Sequence, residues 1–193
     1  MITFIIPSLQ RKTLKNTLIS LLKQEDSDWR AIVNFDGIKN PYFPVQDDRI
    51  RYMESAKVRR YGGIIRNEAV NQAETTWVGF VDDDDILEKN YITALKEELD
   101  KEPDADCVVF RMKKGSRIIP HPSVKNFDKI KRGGVGISFC LSKKIFDNGI
   151  KFIPSSTEDF YLLQNIMKNN YKIILSNYCV YKVRPRMPKI KFL

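Results

Sequence analysis

Histidine and cysteine are scarce in this chain. His121 is the single histidine, and the three cysteines, Cys107, Cys140 and Cys179, lie far apart among apolar neighbours. An odd number of dispersed thiols is expected of buried, reduced cysteines and argues against disulfides or a zinc site, which points to the cytoplasm. His121, flanked by Pro120 and Pro122, reads as a surface residue rather than a metal ligand. No apolar run approaches the ~20 residues that a membrane span requires. The start, Met1-Ile2-Thr3-Phe4-Ile5-Ile6-Pro7, has no basic segment and too short an apolar core for a signal peptide. Internal repeats and low-complexity linkers are absent. Gly133-Gly134-Val135-Gly136 has the wrong spacing for a dinucleotide fingerprint and no strand is evident before it.

What is present is one domain's worth of chain. At 193 residues with 42% hydrophobic and 30% charged content, it should bury roughly 70% of its unfolded surface around one core. The net charge of +9 suits a phosphate-bearing substrate, an anionic membrane surface or a nucleic acid. The basic residues fall in short clusters, Lys57–Arg60, Arg111–Lys114, Lys129–Arg132 and Lys182–Lys191. That distribution suits an anionic ligand touched by several loops at least as well as a duplex.

The most informative stretch is Trp77-Val78-Gly79-Phe80-Val81-Asp82-Asp83-Asp84-Asp85-Ile86-Leu87, an apolar strand pattern that ends in four consecutive carboxylates. Like-charge repulsion among them costs free energy that a hard divalent cation with oxygen ligands would offset. Asp84 or Asp85 could instead cap a helix over Leu87–Leu99. Acids at the carboxyl end of a strand favour the metal or nucleotide reading, because ligands of open α/β sheets gather there. A calcium loop counted from Asp82 fails, with Leu87 where glycine is needed and Thr93 where glutamate should close it.

The rest of the pattern alternates strand and helix. Thr3–Ile6 is expected to be a buried parallel strand, and Leu14, Leu18, Leu21 and Leu22 mark a helix from Thr13, its expected cap, to about Gln24. Trp29–Phe35 reads as a second strand that ends in the turn Asp36-Gly37, and Ile50–Met53 as a short edge strand. Gly62-Gly63 opens a helix whose Arg66 can reach a phosphate or a buried carboxylate with its planar fork. Asp106–Met112 and Ile137–Leu141 read as strands, Lys113–Arg132 as a loop over one face, and Ser142–Phe146 as the start of a short helix. Glu158-Asp159 opens an amphipathic helix, where acids also serve ordinary capping. Tyr171–Leu175 and Tyr178–Val183 are expected as two late strands before a basic tail over 184–193.

In order along the chain, Phe4-Ile5-Ile6-Pro7-Ser8, Asp36-Gly37, Gly62…Arg66-Asn67-Glu68-Ala69-Val70, Phe80-Val81-Asp82-Asp83-Asp84-Asp85-Ile86-Leu87 and Glu158-Asp159 resemble the inverting glycosyltransferases of family 2. The resemblance implies a single α/β domain of the GT-A fold, with a mostly parallel central sheet flanked by helices. Residues 1–100 would bind the nucleotide sugar and 101–183 the acceptor. It implies that Pro7 and Ser8 line the nucleotide pocket, Asp36 binds the base, and Arg66, Asp82 and Asp83 face the nucleotide. Asp84 would ligate Mn²⁺ or Mg²⁺ directly with Asp82 beside it, and Asp159, supported by Glu158, would be the general base. The implied partners are a nucleotide-sugar donor, UDP-linked by preference, and a glycan, lipid-linked or protein acceptor. Peripheral contact with an anionic membrane stays open and no nucleic acid is expected. Leu9-Gln10 replaces the family's commoner Tyr-Asn, and the serine usual after Asp36-Gly37 is missing. Two other classes stay open, a nucleotidyltransferase and a non-catalytic nucleic-acid-binding domain. The first wants a glycine-bearing phosphate loop where Ser8-Leu9-Gln10-Arg11-Lys12 has none; the second wants aromatics interleaved on a basic face.

Overall fold

A computed structural model describes residues 1–58 and 62–185. The basic clusters at Lys57–Arg60 and Lys182–Lys191, and the tail 184–193, fall partly outside the described residues. In chain order the elements are β1 (Ile2–Ser8), α1 (Leu14–Leu22), β2 (Trp29–Asp36), β3 (Ile50–Ser55), α2 (Gly62–Val70), β4 (Trp77–Phe80) and β5 (Ile86–Leu87). Then come α3 (Tyr91–Lys101), β6 (Cys107–Lys114), β7 (Arg117–Ile119), β8 (Phe139–Ser142), α4 (Lys144–Asp147), α5 (Glu158–Lys168) and β9 (Ile173–Val183).

Strands lie in the order β3-β2-β1-β4-β8-β6-β9-β5, with β7 added beside β6. The α/β architecture is the expected one. Its parallel part is confined to β3, β2, β1 and β4, together with the β6–β9 pair. Around β8 the pairing is antiparallel on both sides, so the sheet as a whole is mixed. β1 sits centrally in the parallel part and is buried on both faces, which is why Ile2, Phe4, Ile5 and Ile6 are apolar, while the hydroxyl of buried Thr3 is hydrogen-bonded to that of Thr75 at 2.7 Å. Because β1, β2 and β4 run the same way, Ser8, Asp36 and the acids after Phe80 emerge at one edge.

Several boundaries differ from the sequence expectation, each for a visible reason. Thr13 already has helical backbone angles, φ −69° and ψ −24°, and its hydroxyl makes no capping bond. The helix expected over Leu87–Leu99 starts later. The Leu87 amide is held by Ser20 Oγ at 3.2 Å and the Glu88 amide by the Val180 carbonyl at 2.8 Å, which draws Ile86–Leu87 into the sheet. The two late strands are one, because β9 pairs with β6 through a register irregularity near Arg111 instead of breaking. The same irregularity turns Cys179 outward, so only Cys107 and Cys140 are buried as expected. The segment read as a plain loop contains β7 and a 3₁₀ turn, Phe127–Lys129. It is stitched down by buried Arg111, which donates to the carbonyls of Pro120 and His121 at 2.9 Å and of Val124 at 3.1 Å. Among the described residues no helix is long and apolar enough to cross a membrane.

Candidate active site

Asp82–Asp85 form a tight turn, closed by the Asp85 amide on the Asp82 carbonyl at 3.0 Å, and the turn sends its four carboxylates to different tasks. Asp83 is buried and points back at the β1 loop, accepting from Ser8 Oγ at 2.8 Å, the Leu9 amide at 3.1 Å and Arg11 at 2.6 Å. The four-acid run thus has one member that holds the loop in place. Asp85 is buried the other way, bonded by Tyr181 Oη at 2.9 Å and the Arg184 amide at 3.1 Å. Burial, with Asp82 nearby, pushes the Asp85 carboxyl up to about 7 against those two hydrogen bonds. Neither Asp84 nor Asp85 caps α3, whose N-cap is Asn90.

Asp82 and Asp84 remain half-buried and face open space. Together with Asp85 they offer carboxylate oxygens within 4.8 Å of one another, a set of hard donors that fits a hard divalent cation. Asp84 has the lightest prior commitments, with Arg11 at 3.4 Å, whereas Asp82 is bound to Arg66 at 2.5 Å and Asp85 is occupied as described. The sequence placed Asp85 in the acidic run, but only Asp84 and Asp82 were expected as ligands.

Arg66 is 5% exposed and rises from α2, one turn after its start at Gly62. One guanidinium nitrogen meets Asp82 at 2.5 Å and another meets Glu158 Oε1 at 2.6 Å, so one cation spans two carboxylates from distant parts of the chain. Its Nε is buried without a partner among the described residues. Burial works against the charged guanidinium, yet Asp82, Asp159 and Glu158 raise its pKa above the ordinary value. Glu158 Oε2 also accepts the Gly63 amide at 3.1 Å. Burial raises the Glu158 carboxyl while Arg66 pulls it down.

The glycine pair at the start of α2 makes room for this contact. A Cβ at Gly63 would lie 2.7 Å from Phe152 Cβ and 2.8 Å from Glu158 Oε2. Gly63→Ala is therefore expected to lower unfolding free energy by about 1–3 kcal/mol, as overpacking does, and to loosen the Arg66–Glu158 pair. Urea denaturation checks it, and an unchanged midpoint would contradict the close packing.

Asp159 follows Glu158 on α5 but faces elsewhere. No hydrogen bond to its carboxylate occurs among the described residues, and burial drives it up to about 7, opposed by Arg66 and reinforced by Asp82 and Glu158. The helix cap at this end is Thr157, so Asp159 is not spent on capping. Asp36 accepts the Val58 amide at 2.6 Å. The turn it stabilises depends on Gly37, at φ +65°, where a Cβ would strike Lys57.

Two cavities meet at the acids. One, of about 280 Å³, is lined by Pro7, Ser8, Asp36, Arg66 and Glu158 together with Asp82, Asp83 and Asp84. The other, of about 660 Å³, is lined by Asp159, Phe160, Met112, Val135 and Lys114 and again by Asp82 and Asp84. All nine residues singled out in the sequence thus lie in one or other cavity. Among the described residues only Asp82 and Asp84 border both. Arg11 and Tyr181, which brace the acids, were not singled out, since nothing in their local sequence distinguishes them.

The profile of Glycosyl transferase family 2 matches residues 3–157. No curated protein matches the chain. Among solved structures, S. aureus TarS 1-349 in complex with UDP is similar with a TM-score of 0.76 at 21% identity, over 94% of this chain and 60% of that one. The same protein in complex with UDP-GlcNAc gives 0.73 at 20% identity, over 97% and 59%. The mannosyltransferase PcManGT from Pyrobaculum calidifontis, in complex with GDP-Man and Mn²⁺, gives 0.70 at 14% identity, over 98% and 58%. The chain therefore spans about three fifths of the length of these structures. With the match to most of its length, the parallel edge that gathers Ser8, Asp36 and the acids, and the shared fold, this chain belongs to glycosyl transferase family 2.

Proposed function

We propose that the chain transfers a sugar, with inversion, from a nucleoside diphosphate sugar of the uridine class to a hydroxyl on a glycan, lipid or protein, assisted by Mn²⁺ or Mg²⁺. The observation that carries this reading is that Asp82 and Asp84 border both cavities, with Asp36 on one side and Asp159 on the other. Residues 1–100 then form the donor half and 101–183 the acceptor half. A lipid-linked acceptor would bring the chain to an anionic membrane surface, which its charge of +9 favours.

In this reading Pro7 and Ser8 floor the donor cavity, Asp83 keeps their loop in place and Asp36 meets the base. Asp84 would hold the cation, with Asp82 beside it. The bound cation supplies neutralisation of the departing diphosphate's charge. Arg66 holds Asp82 and Glu158 in place through its two guanidinium nitrogens, which leaves Glu158 in a supporting part and Asp159 as the free carboxylate. Asp159 accepts the proton of the acceptor hydroxyl, the acceptor oxygen bonds to the anomeric carbon, and the bond from that carbon to the diphosphate oxygen breaks on the opposite face.

Titration calorimetry with a panel of nucleoside diphosphates, with and without Mn²⁺, tests the donor assignment. UDP is expected to bind most tightly and only weakly without the metal; preferential binding of GDP, or of none, would refute it. Asp36→Ala should weaken UDP binding by about 1–3 kcal/mol, the cost of leaving a buried polar partner unpaired. Equal affinity of the mutant would leave Asp36 as a turn residue that serves only the Val58 amide.

A further inference from the structure

We infer that the groove leading away from Asp159 binds an acceptor that is itself a polyanion, a hydroxyl-bearing chain with phosphate or carboxylate groups repeated along it. The inference rests on the donor and acceptor assignment above and adds the chemical class of the acceptor. The Asp159 cavity continues into a second one of about 530 Å³, because Ile119 and Gly133 line both. At the Asp159 end this groove is acidic; beyond it, the lining contains no carboxylate and includes Arg117 and His121.

The segment that supplies most of this extension's lining, Ser116–Pro122, belongs to the most basic part of the chain, although Arg117 is the one cation of it in the lining itself. Between positions 111 and 132 there are eight lysines and arginines against one acid, Asp128. None of the eight forms an ion pair among the described residues, although cations elsewhere, such as Lys96, Lys143 and Lys172, do. Buried Arg111 is held by carbonyls and by the Asn177 amide oxygen, with no counter-charge.

The β6–β7 hairpin sharpens the point. Lys114 and Arg117 are directly opposite each other across an antiparallel pair, joined by a two-residue turn with Gly115 at φ +61°. Like charges in that position destabilise a hairpin, and here no acid relieves them. Lys114 lines the first cavity and Arg117 its extension. Arg132, from outside both linings, donates to Thr157 Oγ1 at 3.1 Å, and Thr157 lines the first cavity with Asp159. An anion seated between these cations would relieve the repulsion and align the chain so that its next hydroxyl reaches Asp159. Exposed aromatic faces, the usual grip for neutral sugars, are missing from the extension's lining.

The test titrates the whole chain with glycerol phosphate oligomers, oligogalacturonate, neutral maltooligosaccharides and oligothymidylate of matched length, at two salt concentrations. The phosphate and carboxylate oligomers separate the two sources of negative charge. At least one of them should bind, with affinity that falls as salt rises, and the pair Lys114→Gln and Arg117→Gln should weaken it by about tenfold. UDP binding with Mn²⁺, measured on the same double variant, should not change. Stronger binding of the neutral oligomers, salt-independent binding or an unaffected double variant would overturn the inference. So would oligothymidylate binding more tightly than both hydroxyl-rich polyanions. Failure of the parent to bind UDP would refute the donor assignment separately, since the oligomer titration reads the groove by itself.

Discussion

Asp159→Asn is expected to lose turnover by about 10²–10⁴-fold, the usual contribution of a general base, while its affinity for the nucleotide stays near that of the parent. The amide keeps the shape of the side chain and lacks only the ability to take a proton. The parent's rate should also rise with pH through about 7, where burial sets the Asp159 carboxyl, and level off above it. A second consequence follows for stability. Asp159 and Asp85 hold protons in the folded state up to about 7, well above the ordinary 3.8. Between those values the folded chain binds more protons than the unfolded one. Their contribution to stability is therefore full below about pH 4 and is lost as pH rises through 7. Transfer assays across pH on parent and mutant decide the matter. Near-parental turnover in Asp159→Asn, or a rate that falls through pH 7, would leave Glu158 or another group as the base.

Removal of Arg66 should be the most damaging single change to the site's architecture. Its guanidinium is buried and is the one cation that meets both Asp82 and Glu158 among the described residues. Arg66→Ala strands the buried Glu158 carboxylate and leaves half-exposed Asp82 without its partner, and breaking the buried Arg66–Glu158 pair costs about 3–5 kcal/mol. Arg66→Lys should recover little, because an ammonium cannot present two donors in the planar fork that spans the gap. Nucleotide affinity should fall with either change, since Asp82 loses the contact that orients it. Denaturant titration and calorimetry together measure both effects; a loss of stability below about 1 kcal/mol would mean that the carboxylates relax or protonate without consequence.

Much of the fold was legible because burial writes itself into composition. β1 is apolar from Ile2 to Ile6 except at Thr3, and β4 runs apolar straight into its acids. The donor-side residues were legible for the same reason: parallel strands put their carboxyl ends at one edge, so Ser8, Asp36 and Asp82 had to converge once the strands were assigned. The family match then selects the glycosyltransferase reading from the three that the residues left open. What sequence could not give was the division of labour among adjacent residues. Nothing in Asp82-Asp83-Asp84-Asp85 reveals that Asp83 turns back to Ser8 while Asp85 turns to Tyr181, because the turn geometry decides it. Likewise Glu158 and Asp159 look equivalent until α5 places one against Arg66 and the other in the larger cavity. The strand ends near Leu87 and Asn177 were missed because long-range pairing with β9 and β6 overrode local pattern.

The central claim is that Asp82 and Asp84 separate a donor cavity from an acceptor cavity, and a crystal structure with UDP and Mn²⁺, read by manganese anomalous scattering, tests it most directly. The expected result is an anomalous peak within ligand distance of an Asp84 oxygen, the uracil beside Asp36, and Asp159 on the side away from the diphosphate. Manganese bound elsewhere, or UDP lying in the cavity that contains Asp159, would contradict it.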